Sequence, residues 1–383
     1  MLPSLWIRNF RALDDFQVPQ LGRVNLIVGK NNSGKSSILE ALRIYAQHAN
    51  PSLLDEILIS HDETLRSLSQ AASSTDEDEQ APYQNFFTGR VFPSRDDVSI
   101  YIGDRQERDF VRIAHTYYLE EQLAASPEAG IPSIRRIPVS KDENHEEASQ
   151  ALVISSSRRE LSRWMPIRED STLGLRHSRM LAADPASIPV GFVPTGFLSS
   201  ASLADLWDSI ALTDYDTTVC DGLRIIEPRV EGIAFVKRET LRTRSETERA
   251  AIVKLAGSKR PVALNSMGDG MVRVLQLLLA LVPARGGIYL VDEFENGLHY
   301  SVQERVWELV FKLAVSNNIQ VFAATHSWDC VDAFKRVGAS ADQPAVLFRV
   351  GKSIKTSDKG RVIATVFDQD ALAQLTQADV EVR

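Results

Sequence analysis

Val24-Asn25-Leu26-Ile27-Val28-Gly29-Lys30-Asn31-Asn32-Ser33-Gly34-Lys35-Ser36-Ser37 is the stretch on which the reading of this chain turns. Val24–Val28 is an apolar run and is expected as a strand, while Gly29 to Ser36 fit GxxxxGK[ST]. Ile38, Leu39, Leu42, Tyr45 and Ala46 then recur at helical spacing, so an amphipathic helix follows and ends near Asn50-Pro51. Strand, glycine-bounded loop and helix in that order make a phosphate cradle. Glycines let the backbone close around phosphates with N–H groups pointing inward, and the helix N-terminus adds a favourable field. Lys35 is expected to neutralise the β- and γ-phosphates and the Ser36 hydroxyl to ligate Mg²⁺.

Four later segments complete the pattern. Ile288-Tyr289-Leu290-Val291-Asp292-Glu293 is an apolar strand ending in two acids. Asp292 would hold Mg²⁺, and Glu293, facing differently, would orient or deprotonate an attacking water. Asn265-Ser266-Met267-Gly268-Asp269-Gly270 precedes a helix at Met271–Leu281, which puts a serine hydroxyl and glycine N–H groups at a helix N-terminus. Read alone that segment is an N-cap; beside the phosphate loop it is a second anion contact. Glu295-Asn296-Gly297-Leu298-His299 follows the acidic pair, and Val321–Ser327 puts His326 just after an apolar strand, where it could hydrogen-bond a γ-phosphate.

The 43 Lys+Arg stand against 51 Asp+Glu among 383 residues, a net charge of −8. Asp76–Glu79 contribute −4 and Lys141–Glu147 contribute +1 − 4 = −3, so two short runs account for most of it. Lys237–Arg260 carries eight basic and three acidic residues, and Arg158–Arg179 six and three, which leaves room for a local basic surface and nucleic acid. Cys220 and Cys330 are the only cysteines, which excludes a disulfide scaffold and agrees with a reducing cytoplasm. Val274–Val282, interrupted by Gln276, is far short of the roughly 20 residues that span a bilayer, and the N-terminus has no signal pattern, so neither membrane nor secretion is expected.

Strands are expected at Leu5–Phe10, Phe16–Val18, Arg90–Phe92, Val98–Ile102 and Phe110–Leu119, the last three as an antiparallel set. Others are expected at Ile233–Val236, Pro261–Leu264, Gly287–Val291, Ile319–Ala324 and Ala345–Val350, with a helix at Ser301–Ala314. Leu68–Pro82 reads as a solvated loop and residues 120–190 as an insertion. The fold class is α/β with a mixed sheet, a parallel core joined by an antiparallel N-terminal section. Three regions follow: 1–120 with the phosphate loop, 121–260 variable and helical, and 261–383 with the remaining motifs.

Phosphate loop, Ser-x-Gly-x-Gly, acidic strand end, acidic-glycine loop and strand-terminal histidine, in this order, resemble the ABC-type ATPase head. The opening Leu5-Trp6-Ile7-Arg8-Asn9-Phe10-Arg11-Ala12 and the string Asp292–His299 look like its RecF/SMC and OLD-like branch, which serves DNA metabolism and anti-phage defence. The resemblance covers residues 1–50 and 260–330 specifically. It implies an ABC head with a helical signature subdomain, ATP and Mg²⁺ as ligands, and catalytic roles for Glu293, His326 and Lys35. Nucleotide would be bound by Gly29, Asn31, Asn32, Ser33, Gly34, Lys35, Ser36 and Ser37 of one protomer and by Ser266, Gly268 and Gly270 of a second, joined head to tail. Ser36 and Asp292 would hold the metal, and Asn296 would communicate across the interface. Gln84, or Gln106 behind it, would be the Q-loop glutamine, and adenine would lie near Phe10 and Arg11.

What the chain lacks narrows the role. From Lys35 to Ser266 is 266 − 35 = 231 residues without a sustained heptad array, so a long-armed SMC machine is excluded. After His326 come 383 − 326 = 57 residues, too few for a fused TOPRIM nuclease. No HExxH, CxxC or GxSxG spacing occurs, so zinc hydrolase and serine hydrolase chemistry find no support. The reading that results is a cytoplasmic ATPase, dimerising on ATP, that serves as sensor or motor subunit of an anti-phage complex with a separately encoded effector. A RecF-like DNA clamp in repair, with Lys237–Arg260 on phosphates, is the alternative.

Overall fold

The computed structural model describes residues 1–63, 82–123, 133–140, 148–167, 187–238, 248–358, 360–372 and 374–375. The acidic runs Asp76–Glu79 and Asp142–Glu147, nearly all of the expected loop Leu68–Pro82 and the middle of Lys237–Arg260 lie outside the described residues, as does most of Arg158–Arg179.

Three strands come first, β1 (Leu5–Phe10), β2 (Leu13–Val18) and β3 (Val24–Val28). Only β1 and β2 pair with each other, Ile7 opposite Phe16. Their sheet continues through β4 (Ile100–Gly103), β5 (Phe110–Leu123), β6 (Ser133–Val139), β7 (Ser149–Ser156) and β8 (Arg163–Ile167) in the order β2-β1-β4-β5-β7-β8, with β6 also on β5. All of its pairs are antiparallel. The expected antiparallel section is therefore present, and it runs across residue 120 into the stretch expected as an insertion. One expected strand is absent: Thr88–Arg90 forms a 3₁₀ turn with Gly89 at φ 78° and Arg90 at φ 59°. Left-handed backbone at two successive residues cannot continue a strand toward Phe92.

Farther on, β9 (Val190–Val193) is followed by a small sheet of β10 (Val230–Arg238), β11 (Glu248–Leu255) and the two-residue β12 (Val262–Ala263). The strand expected at Pro261–Leu264 is that short because Leu264–Met267 turns into a 3₁₀ helix. The remaining strands are β13 (Ile288–Val291), β14 (Gln320–Thr325), β15 (Ala345–Lys352) and β16 (Val362–Phe367). They assemble with earlier strands in the order β16-β15-β3-β14-β13-β9; β9, β13, β14, β3 and β15 run parallel and β16 antiparallel. The mixed α/β sheet expected from sequence is thus the fold.

The helices that matter for the site are α1 (Lys35–Ala46), α2 (Pro51–Ser60), α3 (Ser200–Asp208), α4 (Asp214–Arg224), α5 (Asp269–Ala280), α6 (Tyr300–Ser316) and α7 (Trp328–Ala339). Asn50 caps α2 through Ser52 N–H with Pro51 at the first position, which explains the break after α1. The six-stranded sheet separates two apolar cores. On one side Leu26, Tyr289, Val291, Val321 and Ala323 meet α5, α6 and α7; on the other Ile27, Leu290, Phe322 and Ala324 meet α1, α2 and the antiparallel sheet. Burial on both faces is why β13 reads as an unbroken apolar run and why β3 and β14, interrupted only by the buried Asn25, Gln320 and Thr325, do not alternate.

Candidate nucleotide site

Parallel strands deliver their C-terminal ends to one edge of the sheet, where ligands of open α/β sheets bind. Here β3 ends in the phosphate loop, β13 in Asp292-Glu293, β14 in His326 and β9 in Pro194-Thr195-Gly196. The loop needs its glycines locally. Gly34, at φ 102°, caps α1 in a conformation costly for an L side chain, and a Cβ on Gly29 would come within 2.4 Å of the Val350 carbonyl oxygen.

Around the loop lies a cavity of about 780 Å³, a size common for small-molecule sites, lined among others by Asn31, Asn32, Ser33, Gly34, Lys35 and Ser37. Asp292, Glu293 and Ser36 face the same space. Lys35 Nζ donates to the Gly29 and Lys30 carbonyl oxygens at 2.7 and 2.9 Å. Burial lowers its pKa, opposed by the charges of Asp292, Glu293 and Glu295. The Ser36 hydroxyl donates to Asp292 Oδ2 at 3.0 Å, and the Thr195 hydroxyl to the same oxygen at 3.1 Å. Two hydroxyls and a carboxylate are hard oxygen donors suited to Mg²⁺, an ion that leaves most of its shell to phosphate and water. No cluster of three or more His, Cys, Asp or Glu that could hold a metal occurs among the described residues.

Glu293 adopts φ 45°, an uncommon left-handed conformation for a non-glycine residue. His326 Nδ1 lies 3.3 Å from Glu295 Oε1 and 3.7 Å from Glu293 Oε1, and the His326 backbone N–H donates to Glu295 Oε1 at 3.1 Å. The structure therefore brings Lys35, Ser36, Asp292, Glu293 and His326 together. It does not bring Ser266, Gly268 and Gly270 into that cavity: they sit at the start of α5, where the Ser266 hydroxyl donates to Ala263 O and a Cβ on Gly268 would meet nothing within 4 Å.

Several expected residues are elsewhere. Phe10 is fully buried, stacked on Phe86 with centroids 6.2 Å apart, so it packs the core and offers no face to a base. Arg11 does line the cavity, ion-paired with Glu40 and Glu63. Neither Gln84 nor Gln106 lines it. The oxygen that reaches Asp292 beside Ser36 is instead that of Thr195, which sequence reasoning missed; the only signal was the short apolar run Val190–Val193 ending in Pro-Thr-Gly. Within the described part of Lys237–Arg260, Arg249 pairs with Asp208 and Lys254 with Glu231, so two of its basic side chains are matched by acids.

Two family models match the chain, an AAA ATPase domain over residues 1–162 and an AAA domain described as putative AbiEii toxin, Type IV TA system, over residues 202–329. Between them they span the phosphate loop, the signature segment and the acidic strand end. The chain is an ATPase, similar to AAA-type domains in both of its halves. Among curated relatives, an ATP/GTP phosphatase of Helicobacter pylori is 21% identical over 357 residues, 88% of either chain. An uncharacterized protein of Methanocaldococcus jannaschii is 47% identical over 45 residues, 12% of this chain and 20% of that one. Similar solved structures include an Smc head bound to the C-terminal winged-helix domain of ScpA, 13% identical with a TM-score of 0.45, covering 98% of this ATPase and 99% of that chain. Another is the SMC head domain of Thermotoga maritima, 14% identical with a TM-score of 0.41, covering 95% and 98%. Among the described residues of this ATPase no helix is long and apolar enough to cross a membrane.

Proposed function

We propose that this ATPase head dimerises on ATP, with Ser266, Gly268 and Gly270 of one copy closing over nucleotide held by Lys35 and Ser36 of the other. The observation that carries the reading is the division of the motifs. The phosphate loop and acidic pair share one cavity, with His326 3.7 Å from Glu293, while the second anion contact stands apart at the exposed start of α5.

Within each site, loop N–H groups and Lys35 hold the phosphates, Glu293 takes the proton of the attacking water, and His326, oriented by Glu295, faces the γ-phosphate. Ser36 and Asp292, with Thr195 beside them, would hold Mg²⁺, which when bound neutralises developing phosphate charge. The chain acts as sensor or motor subunit of a defence complex in the cytoplasm, working on a separately encoded partner. The two-component toxin–antitoxin setting in the description of the matched family supports a partner protein, and the buried free thiols Cys220 and Cys330 suit a reducing compartment.

The test is mass by light scattering on Glu293→Gln with and without ATP and Mg²⁺. Stalled turnover, lowered by about a hundredfold or more, and an ATP-dependent doubling of mass are expected. A Glu293→Gln protein that hydrolyses at the wild-type rate, or stays monomeric with ATP bound, rejects this reading.

A further inference from the structure

One arginine lies where the apolar pattern of α5 leaves no room for a charge. Arg273 is fully buried, one turn into the helix that begins with Asp269-Gly270. Its Nη1 donates to Pro194 O at 3.0 Å and its Nη2 to Asp292 O at 2.7 Å and Glu293 O at 2.5 Å. Gln276, also fully buried, donates to Gly196 O at 3.1 Å, and Asn296 Nδ2 donates to Thr195 O at 2.7 Å. The carbonyls of residues 194–196 and 292–293 are thus gathered by side chains from α5 and from the loop after β13. A buried guanidinium is costly unless its donors are used, and here Nη1 and Nη2 are spent on the backbone of the two loops, while Nε has no hydrogen-bond partner.

The other end of the linkage is the start of α5. A Cβ on Gly270 would stand 3.1 Å from Gly297 O, and one on Gly297 would stand 3.4 Å from Asp269. Asp269 and Gly270, at the start of α5, therefore lie in close contact with Gly297 in the loop that carries Glu295 and Asn296. We infer that Arg273 is a positioning residue that couples the signature helix to the catalytic turn of the same chain, fixing the strained Glu293 backbone so that anion contact at α5 sets the aim of its carboxylate. This rests on the reading of Glu293 as the base and gives α5 a task in its own protomer besides its contact with the other.

The geometry has a defined sign. Losing the brace leaves the phosphate loop, Lys35 and Ser36 in place but lets the 292–293 turn relax from φ 45°, so binding survives and turnover falls. A displacement of about 1 Å at a reacting group costs on the order of a hundredfold in rate. Lysine keeps the charge but has no planar fork to serve three carbonyls at once.

The experiment compares full-length wild type, Arg273→Lys, Gln276→Leu and Glu293→Gln by steady-state hydrolysis and by equilibrium binding of a fluorescent ATP analogue. Arg273→Lys is expected to lose about ten- to a hundredfold in kcat with nucleotide Kd within about threefold, and Gln276→Leu a few-fold in kcat alone. Should Arg273→Lys not fold, Gln276→Leu, which removes one bond of the same brace, decides. Wild-type kcat in these variants while Glu293→Gln is stalled, or equal losses in kcat and affinity, overturns the inference and leaves the proposed function standing. If Glu293→Gln itself turns over normally, the proposed function fails and the inference with it.

Discussion

The two large sheets of this ATPase use the same kind of apolar residue to different ends. In the six-stranded sheet β3, β13 and β14 are buried along their whole length, and their ends, with that of β9, carry Lys35, Ser36, Asp292, Glu293, His326 and Thr195. In the seven-stranded sheet, β7 and β8 mix buried and half-exposed positions, with the apolar ones turned toward α1 and α2. That sheet sends Arg11 and Ala12 of the turn between β1 and β2 to the cavity, beside Gly89 and Arg90 of the 3₁₀ turn. Parallel pairing concentrates chemistry because all strands end on one side, whereas antiparallel pairing alternates strand ends between two sides and builds a platform.

Substitutions can break that contrast. The largest effect is expected at the end of β3: Lys35→Ala should weaken ATP binding by about a thousandfold, some 4 kcal/mol, in a binding titration. Thermal unfolding should move little, since only two bonds to loop carbonyls are lost with a partly desolvated charge. On the platform the reverse is expected. Leu152, 1% exposed on β7 in the core beneath α1, should cost about 3 kcal/mol in urea denaturation as Leu152→Ala. Turnover per folded molecule should stay at the wild-type value. A drop in kcat at temperatures where the variant is folded would show that the two sheets do not divide the labour.

The smallest effect concerns the seam between platform and site, where His61 Nε2 lies 2.5 Å from Glu40 Oε1. That hydrogen bond, with the Glu40 charge, raises the His61 pKa against the effect of burial. A raised folded-state pKa means stabilisation that is complete below about pH 6.5, the ordinary histidine value, and is lost as pH rises through the folded value. His61→Asn should therefore destabilise at pH 5.5, by no more than the ~1 kcal/mol of a part-exposed pair, and hardly at all at pH 9. Equal melting shifts at both pH values would contradict this assignment.

The phosphate loop, the acidic pair and the order of the later motifs were legible because each is local, a few consecutive residues after an apolar strand. The parallel strands were legible for a related reason, since burial on both faces leaves runs that are mostly apolar and do not alternate. Thr195 was not, because β9 is only four residues long and a hydroxyl after a proline carries no motif; its role exists only once β9 is placed beside β13. Arg273 was hidden by its surroundings: inside Met271–Leu281 a lone charge reads as the exposed side of a helix, and only the fold puts backbone carbonyls around it. Phe10 failed in the opposite direction, a core side chain next to Arg11, which does reach the cavity.

The position of β3 also sets a timetable. It lies between β14 and β15, and the Gln320 side chain that brackets Leu2 belongs to β14 as well. The hairpin of β1 and β2 closes within a few residues, but the strand that carries the phosphate loop has no neighbour until the ribosome has added nearly three hundred more. At about 5–20 residues per second that is a wait of roughly 15–60 s. Throughout it the apolar edges of Val24–Val28 stand unpaired, so during synthesis the segment that later grips nucleotide is also the one most in need of shelter.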